Sequence, residues 1–189
     1  MIYNTEVWDK YTDDNEKNIQ NDIGKFIYFT SLALGAKKIC EAGCNVGNNL
    51  SSFTSNFEVY GIDMNEHALN KAKSEFPNFI FKKEELKKTS FPDSVFDLVF
   101  TRGILIHIPK SELPDVLKEL LRISKKWIFN LEYFGKDGEE IYWKRGKNML
   151  WYRNMAEQWK KFNVKIVTDV EIPIEIDPGK MRFTLIEKQ

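Results

Sequence analysis

The stretch Ile39-Cys40-Glu41-Ala42-Gly43-Cys44-Asn45-Val46-Gly47 reads as a short apolar strand that ends on an acidic residue, turns tightly on glycine and leads into a helix. Glycine tolerates positive φ and lets a ligand approach the backbone closely. A helix beginning just beyond such a turn leaves amide N–H groups free to meet a polar ligand. A Gly-x-x-x-Gly is by itself a weak signal, so its meaning depends on what flanks it.

On the N-terminal side, residues 1–14 set Tyr3, Trp8 and Tyr11 among acidic and polar residues. They fit equally a segment capping the core edge and a lid over a ligand. Ile19, Ile23, Phe26, Ile27 and Phe29 follow with mainly helical spacing, which predicts one helix over 15–34 ended by Gly35. On the C-terminal side, strands and helices alternate. Strands are predicted at 38–41, 59–63, 79–82, 96–101 and 127–131. The fourth, Phe96-Asp97-Leu98-Val99-Phe100-Thr101, is nearly continuous in apolar residues, as a central parallel strand is. Helices are predicted at 48–56 with Leu50 and Phe53 inward, at 66–75 between Asn65 as N-cap and Phe76-Pro77, and at 112–124. Residues 132–148, with Gly135, Gly138 and Gly146, break this rhythm before a predicted helix over 150–162. Two β-rich runs, 164–172 and 181–187, meet through Asp177-Pro178-Gly179, a turn sequence that predicts an antiparallel hairpin. The whole predicts an α/β fold: a Rossmann-like, doubly wound seven-stranded sheet, mostly parallel, with an antiparallel strand from the C-terminal hairpin.

Bulk properties narrow the partners. The 189 residues, 42% apolar and 30% charged, suit one domain with a substantial core. Twenty-eight basic residues balance 28 acidic ones, which removes the electrostatic footprint of a dedicated nucleic-acid binder. Cys40 and Cys44 have neither the number nor the spacing of a disulfide framework or a zinc site, so they read as buried, reduced thiols and no metal is expected. The N-terminus lacks an apolar signal core and no window approaches the ~20 apolar residues of a membrane span. A cytoplasmic protein without membrane partners is expected.

In open parallel sheets, ligands bind beyond the carboxyl ends of the strands, near the point where strand order reverses. Glu41 ends the first strand, Asp63 the second, Glu84-Glu85-Leu86 follow the third and Thr101-Arg102-Gly103 the fourth. Asp63 lies about twenty residues beyond Gly43, where a carboxylate can accept both hydroxyl protons of a ribose. Acidic groups at three strand ends are costly unless a ligand or solvent answers them. A nicotinamide dehydrogenase would need a glycine where Asn45 stands, and Glu41 would face its pyrophosphate unfavourably. An adenosine carrying a positive charge fits these residues better.

Glu41-Ala42-Gly43-Cys44-Asn45-Val46-Gly47, Tyr60-Gly61-Ile62-Asp63-Met64, Glu85-Leu86 and Phe91-Pro92-Asp93-Ser94-Val95-Phe96-Asp97-Leu98-Val99 resemble the successive motifs of class I S-adenosylmethionine-dependent methyltransferases, across roughly residues 36–131. The departures are Asn45 for a glycine and Glu85 where aspartate is frequent; both keep hydrogen-bonding capacity. The resemblance implies S-adenosylmethionine as cofactor, with Asn45 in its turn. It implies that Gly43 brings backbone to the methionine part and that Glu41 lies near the ammonium. Asp63 would hold the ribose and Met64 would lie against the adenine, unless it is core. Glu85 would accept from the adenine amino group, unless it is a solvated loop charge. The Leu86 N–H would meet a ring nitrogen, and a carbonyl of Thr101 or Arg102 would complete the ammonium site. The chain then divides into a cap or lid helix (1–35), a cofactor-binding core (36–131), an insertion and helix on the acceptor side (132–163) and the hairpin (164–189). More weakly, Glu41 to Asn49, Thr101 to Pro109 and Asn130-Leu131-Glu132-Tyr133 resemble pseudaminic acid biosynthesis-associated methyltransferases, which implies a bacterial sugar-pathway substrate.

For the acceptor, His107 follows the fourth strand end closely and reads either as a general base or as a histidine packed under the next helix. His67, early in a helix, reads as surface. Arg145 and Arg153, beside Trp143 and Lys144, can grip a carboxylate or phosphate by paired hydrogen bonds or form a surface charge cluster. Trp8 and Tyr11 can close over a sulfonium or acceptor, or pack at the edge. No Pro-Cys and no Asn/Asp-Pro-Pro-Tyr run is present, which sets aside cytosine- and amino-methylating DNA enzymes. The reading is a methyltransferase for a small, anionic or sugar-derived metabolite. The alternative is an S-adenosylmethionine-binding module or regulatory subunit without catalysis of its own.

Overall fold

Along β1 (Lys38–Ala42), Ile39 packs into one apolar layer while Cys40 and Ala42 pack into another, so the sheet is covered on both faces. The computed structural model describes residues 4–17, 21–177, 179 and 181–189; Tyr3, Ile19 and Pro178 lie outside them. The remaining strands are β2 (Glu58–Asp63), β3 (Ile80–Lys83), β4 (Phe96–Arg102), β5 (Ser124–Tyr133), β6 (Val164–Glu171) and β7 (Met181–Lys188). Their order is β3-β2-β1-β4-β5-β7-β6. β1 to β5 pair in parallel, and β7 runs antiparallel to both β5 and β6. This is the predicted seven-stranded, Rossmann-like sheet. Strand order reverses between β1 and β4, which places the switch point beside the glycine turn.

Helices α2 (Asn21–Ala33) and α3 (Glu66–Glu75) cover one face through Ile23, Ile27, Leu69 and Ala72. Helix α4 (Leu113–Ile123) covers the other, burying Val116, Leu117 and Leu120, and α5 (Met155–Trp159) adds Met155 and Trp159. The limits of α3 are those predicted, because Asn65 caps it by accepting from the Ala68 N–H.

Three expected helices are corrected. The helix predicted over 15–34 is the shorter α2, and a separate helix, α1 (Thr5–Asn15), forms in the 1–14 stretch read as a cap or lid. α1 starts where the Asn4 side chain accepts from the Val7 N–H, and its inward residue is Thr12, so no aliphatic period marked it. Phe29, one of the residues counted in the helical spacing of α2, is exposed. The helix expected at 48–56 is a single 3₁₀ turn, Asn48–Leu50, although Leu50 and Phe53 are buried. Ser51, Ser52, Thr54 and Ser55 follow it, and such side chains compete for backbone groups and favour turns. The helix expected over 150–162 shrinks to α5, because Trp151 and Arg153 run as extended bridges beside Glu140 and Phe134. β5 is longer than predicted, so Glu132 belongs to a strand rather than to the insertion. Among the described residues no helix is long and apolar enough to cross a membrane.

Candidate functional site

A cavity of about 220 Å³ opens at the carboxyl ends of β1, β2 and β4 and is lined by Gly43, Asn45, Asp63, Met64 and Arg102, among others. The glycine turn earns its composition here. Gly43 has φ +80°, and a Cβ on it would lie 2.4 Å from Ile104 of the loop after β4. Its free side is thus filled by another wall of the cavity, and only its backbone faces inward. The Gly43 and Cys44 N–H groups both donate to the Ile62 carbonyl, at 2.8 and 3.0 Å, which ties the turn to the end of β2.

Asn45 adopts φ +47°, a left-handed conformation that asparagine tolerates better than most residues. Its N–H donates to Asp63 Oδ2 at 2.9 Å while the Asn65 N–H donates to Oδ1 at 2.9 Å. One carboxylate therefore joins two loops and keeps lone pairs for a ligand. Burial raises its pKa, and the N–H groups of Asn65, Asn45 and Met64 oppose that rise.

Glu41 is completely buried at the end of β1. Its Oε1 accepts from Asn49 Nδ2 at 2.6 Å, whereas Oε2 has no hydrogen-bond partner among the described residues. Burial pushes its pKa up to about 8 against the pull of Asn49 and of the Arg102 guanidinium. Arg102 lines the cavity and holds Asp177, at the far end of the hairpin, at 2.8 Å. Thr101 stays behind the wall, its hydroxyl donating to Glu132 at 2.9 Å. Met64 is part-exposed on the cavity side, Leu86 is buried in the wall, and Glu85 stands exposed at the rim, paired with Lys87 at 3.4 Å.

Helix α1 roofs the cavity with Trp8 and Tyr11. Thr12 anchors it, donating to Asn45 Oδ1 at 3.3 Å and accepting from Asn65 Nδ2 at 3.4 Å. Trp8 packs edge-on to His107, with ring centroids 4.9 Å apart, and Trp143 closes the cluster at 5.1 Å from His107 and 5.5 Å from Trp8. Arg145 lies over the rings of Tyr11 and Trp143, at 5.1 and 5.5 Å, and holds Asp14 of α1 at 2.7 Å. These contacts fasten the insertion to the roof. On its outer side, Lys10, Lys144 and Arg145 border a groove against Asp14.

His107 is buried in the cavity wall. Its Nδ1 lies 2.6 Å from the Met149 carbonyl, which can only accept, so the proton sits on Nδ1 and the lone pair on Nε2. Burial lowers its pKa to about 4, with a smaller contribution from Arg153. His67 is half exposed and pairs with Asp13 at 2.8 Å, in keeping with a surface role.

Arg153 is corrected. It is 1% exposed, and its guanidinium donates to the carbonyls of Leu105, Tyr152 and Ile108. Its hydrogen-bonding arms are turned on the backbone rather than on an acceptor, because residues 151–153 are extended instead of helical. Asn49, Thr12 and Glu132 were not singled out for these roles. Asn49 reaches Glu41 only because the 3₁₀ turn folds it back, and no spacing rule signals that.

A family model described as Methyltransferase domain matches residues 39–126. Cycloartenol-C-24-methyltransferase of Arabidopsis thaliana is 26% identical over 122 residues, 58% of this chain and 35% of that one. The chain spans 35 to 40% of the length of the curated relatives it matches. The PH0226 protein of Pyrococcus horikoshii OT3 superposes with a TM-score of 0.72 at 19% identity, covering 95% of each chain. Magnesium protoporphyrin IX methyltransferase of Synechocystis PCC 6803, solved with bound SAH, superposes with a TM-score of 0.70 at 16% identity, covering 90% of this chain and 83% of that one. At such identities the structural likeness shows the fold: this chain has the fold of those methyltransferases.

Proposed function

We propose that this chain is an S-adenosylmethionine-dependent methyltransferase acting on a small, anionic or sugar-derived metabolite in the cytoplasm. The observation that carries the reading is the Glu41 carboxyl group, wholly buried at the end of β1 beside the switch point, with one oxygen lacking a hydrogen-bond partner among the described residues. A buried carboxylate in that state calls for a cation, and the ammonium of an amino-acid tail supplies one. Asp63 would take the ribose, Met64 and Leu86 the faces and edge of the adenine, Glu85 its amino group, and Asn45, Gly43 and the Thr101–Arg102 backbone the methionine part. The two buried free thiols, Cys40 and Cys44, suit a reducing compartment.

When bound, S-adenosylmethionine supplies a methyl group on an already activated sulfonium. The protein's contribution is then to bring an acceptor into line and to exclude water. The Trp8, Tyr11 and Trp143 roof provides exclusion, and Arg145, held on two rings and paired with Asp14 at the outer groove, would meet an acidic or phosphorylated acceptor only by exchanging that partner. His107 offers Nε2 to the acceptor's proton. With a pKa of about 4 it is a weak base, suited to accepting a hydrogen bond from an acceptor hydroxyl and so orienting it.

Calorimetric titration with S-adenosylhomocysteine (SAH), with adenosine and with NADH tests the reading. SAH should bind one to one and NADH should not bind. Glu41→Gln should weaken SAH at least about tenfold, roughly 1.4 kcal/mol, and leave adenosine, which has no ammonium, almost unchanged. Absence of SAH binding, or equal losses for both ligands, would overturn it. SAH binding without turnover of S-adenosylmethionine on any anionic or sugar acceptor would favour the second reading, a binding module without catalysis.

A further inference from the structure

The loop that follows β4 passes through one 3₁₀ turn, Leu105–His107, and an acidic and a basic side chain grip it from inside the protein. Glu132 is 1% exposed; its Oε1 accepts from the Leu105 N–H at 3.2 Å and its Oε2 from the Ile106 N–H at 3.3 Å. Arg153, equally buried, donates from Nε to the Leu105 carbonyl at 3.0 Å and from a terminal nitrogen to the Ile108 carbonyl. The carboxylate thus takes N–H groups of the turn and the guanidinium takes its C=O groups. Their groups make no direct ion pair; the peptide lies between them. The segment carrying Arg153 adds two more ties, Trp151 N–H to the Ile106 carbonyl at 2.8 Å and the Met149 carbonyl to His107 Nδ1.

Burying two ionisable side chains costs more than burying apolar side chains of the same volume, so plain core filling does not account for the pair. What it secures is a geometry. The gripped turn presents Ile104, His107 and Ile108 to the cavity, and Ile104 fills the space left by the missing Cβ of Gly43. We propose that Glu132 and Arg153 are positioning residues, a buried clamp that fixes this turn and thereby the ring orientation and tautomer of His107 at the acceptor side of the site. The proposal rests on the methyltransferase reading only for the role of that side; the clamp itself concerns His107. The charges bearing on it are Arg153 on the ring, and Asp137 and Glu132 on Arg153, while the Thr101 hydroxyl and the 104–106 amides face Glu132.

The chain has two histidines, so the ring nitrogens of a ¹⁵N-histidine-labelled sample give two resolvable systems, with His67 as internal control. In the wild type, His107 should be neutral with its proton on Nδ1 and stay so to about pH 4. In Glu132→Gln and Arg153→Lys, each checked for a cooperative melt, it should lose the Nδ1–H signature and titrate at least about one pH unit higher, towards the ordinary histidine value near 6.5. The His67 ring signals should be unchanged by either substitution. Folded variants whose His107 keeps the wild-type tautomer and titration would overturn the clamp. Should neither variant fold, amide exchange in the wild type decides: slow exchange at Leu105 and Ile106, matching the most protected strands, supports it, and fast exchange there overturns it. SAH titration of the same samples reports separately on the cofactor reading, and once an acceptor is in hand kcat should fall at least about tenfold while SAH affinity stays within about threefold.

Discussion

Glu41 and Glu132 are carboxylates sealed inside the protein, and burial raises their pKa values to about 8 and about 7. Both values lie above that of the unfolded chain, so the folded state binds these protons more tightly. Their contribution to stability is complete below about pH 4.5 and is lost as pH rises through 7 to 8. Glu41→Gln keeps an acceptor for Asn49 but cannot ionise. Thermal melts should therefore show it equal to the wild type near pH 5 and more stable at pH 9, whereas an equal difference at both pH values would contradict the raised pKa. Ligand binding reverses the preference. An ammonium beside Glu41 favours the carboxylate, so below about pH 8 SAH should release a proton on binding and bind more tightly as pH rises. Titrations in buffers of different ionisation enthalpy measure that proton directly.

At the scale of elements, the turn after β1 and the loop after β4 are built against each other. Gly43→Ala meets two penalties, a side chain at φ +80° and a Cβ 2.4 Å from Ile104. Together these should cost about 2–4 kcal/mol in denaturant unfolding. Adding Ile104→Ala removes the collision and leaves the conformational part, so the pair should lose less than the sum of the two single changes. Strict additivity would mean that the two segments do not meet as described. The strands β1, β2, β4 and β5 were legible because they are short apolar runs, and β3 and helix α3 because Asn65 and Pro77 punctuate the chain locally. Helix α1 was not legible, because its inner face is Trp8, Tyr11, Thr12 and Asn15, chosen for the cavity rather than for an aliphatic core. The short α5 escaped for a related reason. The 151–153 segment is drawn into extended pairing by β5 and the insertion, a tertiary effect that outweighs helical periodicity.

Over the whole molecule, the strand-end part of the cavity was legible and its roof only in part. Residues at strand ends converge whenever a doubly wound sheet forms, so Gly43, Asn45, Asp63, Met64, Leu86 and Arg102 could be expected around one cavity, and they line it. Trp8, Tyr11, His107, Trp143 and Arg145 also meet, but through the roof and the insertion, whose path no local rule dictates. Arg153 shows the limit: its residue type suggested a grip on an anion, and its burial commits it to backbone carbonyls. The central claim is that this cavity holds an adenosine whose cationic tail ends at Glu41. A crystal structure of the chain with SAH tests it most directly. The ribose hydroxyls should lie within hydrogen-bonding distance of Asp63 and the ammonium within reach of Glu41 Oε2; an adenosine seated elsewhere, or a tail turned away from Glu41, would contradict the account.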